Sequence, residues 1–84
     1  MGITEAKKLI GKTCVVHWLD RLGRELNITS KIHDVTFVPL YGGYLISDTE
    51  DIRLDKVTEV MLIRDDGSIS PAFMAHGESL PVAA

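Results

Sequence analysis

The chain is poor in the groups from which covalent staples and catalytic centres are usually built. It has one cysteine, Cys14, so no intramolecular disulfide can close. A lone thiol with no ligand cluster around it is no zinc site either. A reducing, cytoplasmic setting fits this usage. No apolar run approaches the ~20 residues needed to span a bilayer, and the first residues lack the apolar core of a signal peptide. We therefore expect a soluble protein with no membrane partner. Charge of one sign is missing too: 9 Lys and Arg stand against 12 Asp and Glu, a net charge of −3, which leaves no strong basic footprint. Aromatic residues make up only 6% of the 84 residues, so each ring has to be accounted for.

What remains is an ordinary globular composition, 45% hydrophobic and 25% charged, at a length that supports one domain. So short a chain buries about 60% of its unfolded surface. Its stability is correspondingly small or supplemented by self-association. Charge is unevenly spread, with six basic and four acidic side chains before residue 35 and three against eight after it. One locally basic face is therefore compatible with the negative total.

The segment Thr4 to Gly11 predicts a short helix capped by Thr4 and ended by Gly11, with Ile3, Ala6, Leu9 and Ile10 on the face toward the domain. From Thr13 the period changes to two. Thr13–Leu19 reads as a strand in which Cys14, Val16 and Trp18 share the buried parity, which makes Cys14 a core thiol. A turn at Asp20–Gly23 leads into a second strand with Leu26, Ile28 and Ile32 on one side. Its alternation slips at Asp34, and a bulge between His33 and Val35 restores it. Pro39-Leu40-Tyr41-Gly42-Gly43 then reads as a loop, Tyr44–Leu54 as a tight hairpin, Leu54–Val57 as a helical turn and Val57–Ile63 as a further strand. Asp65-Asp66-Gly67 offers a turn into a candidate sixth strand at Ser68–Ser70, which Pro71 would confine to an edge.

These signals predict an all-β fold, a small antiparallel β-barrel of five strands, with a sixth as an option, and a short N-terminal helix. Residues 1–70 make up the domain and residues 71–84 a loose tail. The run Val60-Met61-Leu62-Ile63 has apolar residues of both parities and little charge to guard an edge, which predicts self-association.

The succession of a short helix, a Gly-Lys start, a long bent second strand, a Gly-Gly loop and a hairpin ending Ile52-Arg53-Leu54-Asp55-Lys56-Val57 resembles the small Src-homology-3-like barrels, over residues 4–63. Among these it is most similar to the Sm-like and Rho-binding antiterminator groups. The resemblance implies a small open barrel and raises single-stranded RNA as a partner. The Sm-like RNA pocket uses an Asp-x-x-Asn after the second strand, and here that stretch reads Asp34-Val35-Thr36-Phe37 with no asparagine.

No catalytic residue, cofactor or metal is expected. His17 and His33 lie far apart on their strands, Asp48, Glu50, Asp51 and Asp55 lack the spacing of a calcium loop, and no helix follows Gly42-Gly43 to cradle a phosphate. The expected function is a non-enzymatic interaction module for a protein or peptide, binding through Tyr41, Gly42, Gly43 and Tyr44 and an exposed strand edge. The alternative is an Sm-like RNA-binding module whose basic face draws on Lys7, Lys8, Lys12, Arg21, Arg24 and Lys31.

Overall fold

A computed structural model describes residues 1–75. Helix α1 spans Ile3–Lys7, and the strands are β1 Thr13–Leu19, β2 Glu25–Val38, β3 Gly42–Ser47, β4 Asp51–Arg53, β5 Val57–Ile63 and β6 Ile69–Met74, with a 3-10 turn at Leu54–Lys56. The order across the antiparallel sheet is β4-β3-β2-β1-β5-β6. The fold is all-β with one short helix. The hydrogen-bonded ladder does not close into a barrel, because β4 and β6 remain its two edges.

The helix is shorter than the sequence predicts and displaced toward the N-terminus: its cap is Gly2, two positions before Thr4, and it ends at Lys7 rather than at Gly11. The N–H of Gly2 donates to Glu5 Oε1 at 3.0 Å, so a carboxylate in the first turn reaches back to the cap residue, and no side chain caps the helix from the cap position itself. Ala6 and Leu9 are buried, whereas Ile10 is exposed. Gly11, at φ 86°, ends the segment and donates its N–H to Ile32 O, which fastens the helix to β2.

β2 decides the shape of the sheet. Its first half pairs with β1, from Thr13 opposite Lys31 to Leu19 opposite Glu25, and its second half pairs with β3. Between the halves the register shifts, since Ile32 faces Ser47 and Asp34 faces Ile46, which leaves His33 as the extra residue. The shift falls where the slipped alternation predicts it. It lets Ile32 and Val35, three residues apart, both enter the core.

That core consists of Ala6, Leu9, Cys14, Val16, Ile32, Val35, Leu45, Ile52, Leu54, Val57 and Val60. Trp18 shares the parity of Cys14 and Val16 but is only partly buried and packs against the cluster's rim. A second bulge explains this. His17 pairs with Glu59 and Trp18 with Val57, so Thr58 is the surplus residue, and its hydroxyl donates to His17 O at 3.2 Å.

Two sequence expectations are corrected at the C-terminal side. β6 runs through Pro71 to Met74, so the ordered sheet extends past the boundary placed at residue 70; of the expected tail, residues 76–84 lie outside the described residues. β5 is no exposed edge, because β1 pairs with one side of it and β6 with the other. Its two apolar parities answer to the core on one face and to a file of half-buried side chains on the other.

Candidate functional site

The turn between β2 and β3 is built by Pro39, Leu40 and Tyr41. Tyr41 N–H donates to Val38 O at 2.9 Å, Pro39 takes the second turn position, and Leu40 holds the third at φ 75°. This is the arrangement of a type II turn, whose third position ordinarily belongs to glycine. Leucine in the left-handed region costs about 1–2 kcal/mol. No burial offsets the cost, since Leu40 is 100% exposed. Its neighbours Phe37 and Tyr41 are 60% and 61% exposed, and Val38 is also on the surface. Four apolar or aromatic side chains therefore stand in water around one strained turn.

The structure divides the sequence-predicted group. Tyr41 belongs to this tip. Gly42 and Gly43 are not loop residues but the first residues of β3, opposite Val38 and Phe37. Gly42, at φ 97°, lets the chain re-enter the sheet. Gly43 serves packing: a Cβ there would lie 2.7 Å from Leu54 Cδ1 and 3.2 Å from Ile3 Cγ1. Tyr44 sits within the sheet, opposite Thr36 and Arg53, and is half-buried. Phe37, Val38 and Leu40 were missed from the sequence. The signal was an apolar residue after Pro39, where a turn calls for Gly or Asn.

Arg21 and Arg24 belong to the β1–β2 turn, at the opposite end of β2 from the tip. Arg24 Nε donates to Asp20 Oδ2 at 2.8 Å, while Asp20 Oδ1 accepts the N–H groups of Leu22 and Arg24. The backbone N–H of Arg24, more than its guanidinium, holds the Asp20 carboxyl below the usual range. Arg24 is thus part of the β1–β2 turn. Lys31 lies seven residues further along the chain, about 23 Å at the rise of a strand. Arg21 lines a cleft of about 310 Å³ where β4 falls short of β1, together with Trp18, Leu19, Asp51, Arg53 and Lys56.

The remaining chemistry-bearing groups have structural partners. Cys14 is fully buried, its Sγ lies 3.8 Å from Lys12 O, and burial pushes the thiol pKa up. A raised pKa keeps it protonated and inert. His17 pairs with Asn27 across β1 and β2. His33 Nε2 is hydrogen-bonded to Asp48 Oδ1 beside the β2 bulge, and this contact is the main reason that the Asp48 carboxyl lies below its ordinary value. Asp55 pairs with Arg53, and Glu50 is held through its backbone by Ser47. Among the described residues, no three His, Cys, Asp or Glu side chains converge on a point where a metal ion could sit. No helix among them is long and apolar enough to cross a membrane.

Comparison with protein-family models, with curated proteins and with solved structures returned no match to this chain.

Proposed function

We propose that the chain is a non-enzymatic interaction module of Src-homology-3-like or Sm-like type that grips a protein or peptide partner with the β2–β3 tip. The exposure of Phe37, Leu40 and Tyr41 on a turn that keeps leucine at φ 75° carries this reading. Backbone strain persists where the surroundings or the function require it, and nothing inside the fold requires that leucine. Apolar and aromatic groups that lose their water on contact are the usual anchors of protein interfaces. The long bent β2, the 3-10 turn between β4 and β5 and the N-terminal helix support the barrel type. The buried, protonated Cys14 supports a non-enzymatic role.

The RNA-binding alternative has less support. Arg24, which shares the β1–β2 turn with Arg21, is engaged by Asp20, and Lys31 lies seven residues further along β2. A photo-cross-linking residue placed at Tyr41, and at Thr29 on the flat of the sheet as control, separates the two. Protein adducts from position 41 alone are expected. RNA adducts, or equal labelling from both positions, would refute the proposal.

Self-association is the second part of the reading. Paired residues of antiparallel strands share a face, so Val15, Met61, Ile63 and Ile69 form one outward apolar file across β1, β5 and β6. A second copy would cover it by sheet-on-sheet packing. Sedimentation of the wild type should show a dimer that Met61→Lys converts to monomer. A wild type that stays monomeric at high concentration removes this part.

A further inference from the structure

A second surface lies beside helix α1. Helix α1 and strand β6 enclose a groove of about 330 Å³ whose floor is Leu9, Leu62 and Ala72 and whose rim carries Lys8 and Lys12. A hollow of about 380 Å³ adjoins it, sharing Lys12 and Leu62 and adding Ile63, Arg64 and Asp65. The β6 bulge shapes the groove. Met61 pairs with Pro71 and Val60 with Phe73, so Ala72 is the unpaired residue, and its small side chain leaves the floor open.

We infer that this groove docks an acidic peptide segment with apolar anchors, as a site separate from the β2–β3 tip. Charge complementarity names the occupant. Lys8, Lys12 and Arg64 are exposed cations, and none forms an ion pair with a described residue. Three cations against the two carboxylates Glu5 and Asp65 leave the lining with an excess of positive charge above an aliphatic floor, which matches a chain that presents carboxylates and leucine-like side chains together. A nucleic acid fits less well. The lining offers no aromatic ring on which a base could stack.

The test is fluorescence anisotropy with a labelled short peptide of alternating glutamate and leucine, alongside a peptide of alternating lysine and leucine and a single-stranded uridine oligomer. The acidic peptide should bind with a Kd of tens of micromolar and weaken as salt rises. Lys8→Glu combined with Lys12→Glu should weaken it at least about tenfold; both side chains are exposed, so the fold is kept, which circular dichroism verifies. Tyr41→Ser should leave the affinity unchanged, which separates this site from the tip. The inference is overturned if the acidic peptide does not bind, if the double reversal changes nothing, or if the uridine oligomer binds more tightly with the same lysine dependence. It is also overturned if the reversal changes the sedimentation of the chain alone, for the occupant would then be a second copy.

Discussion

Leu40 and Gly43 stand three residues apart and make opposite demands on the backbone. Leu40 occupies a position suited to glycine and gains no burial from it, so Leu40→Gly should stabilise the fold by about 1 kcal/mol through relief of the left-handed conformation. Loss of partner binding should accompany that gain if the tip is the docking site. Urea denaturation checks the first effect, and an unchanged or lower midpoint would count against the strain. Gly43 is the reverse case, an extended residue whose missing Cβ makes room for Leu54 and Ile3. Leu54 is itself buried and has little freedom to retreat. Gly43→Ala should therefore destabilise by about 1–3 kcal/mol, as overpacking does. A neutral result in the same denaturation experiment would show that the contact yields.

The turns and the bulge are held by carboxylates, and this gives the fold a pH dependence of known sign. Asp20 binds the N–H groups of the β1–β2 turn, Asp48 binds His33 at the β2 bulge, and Asp66 accepts from Ser68 before β6. All three lie below the ordinary carboxylate range. A group whose folded pKa is depressed stabilises the fold above its unfolded value, about 3.9 for Asp, and that contribution is lost as pH falls through the folded value. Urea midpoints should therefore hold between neutrality and about pH 4 and drop below it. His33→Ala should raise the Asp48 titration midpoint toward the ordinary value, read from its carboxyl chemical shift. An unmoved midpoint would assign the shift to Lys31 and the backbone instead.

Across the sheet, the two edges differ in how they are protected. β4 offers only three residues, whereas β6 is longer and carries exposed Ile69 and Met74. The hydrogen bond from Arg64 N–H to Ser68 O sets the alternation along β5 and β6, so Leu62 and Ser70 exchange bonds and Pro71 faces away from β5. Proline thus stands where a free N–H would otherwise recruit another strand. Pro71→Thr should produce larger species in light scattering that the wild type does not form. The same topology makes a chain cut after Ser70 less stable than one cut after Ala75, since the first exposes the apolar edge of β5. Equal melting temperatures would show that β6 contributes nothing to the sheet.

Local period and turn chemistry were enough to place β1, β2 and β5, whereas β3 begins two residues before and β6 ends four residues beyond the bounds those signals indicate. The alternation from Thr13, the slip at Asp34, and the Gly23 and Gly67 turns are short-range signals, and each has its counterpart in the structure. Pairing across the sheet is not short-range. That β6 covers β5, that Trp18 reaches only the rim of the core and that Gly43 yields its side-chain space to Leu54 all depend on neighbours distant in sequence. The candidate site divides in the same way. Tyr41 was found because an aromatic residue beside glycines is a local pattern, whereas Phe37 sits on the inward parity and is exposed only because the sheet outruns its core there. Composition and periodicity dictate which face of a strand is apolar; whether anything covers that face is decided by where the other strands and the helix end.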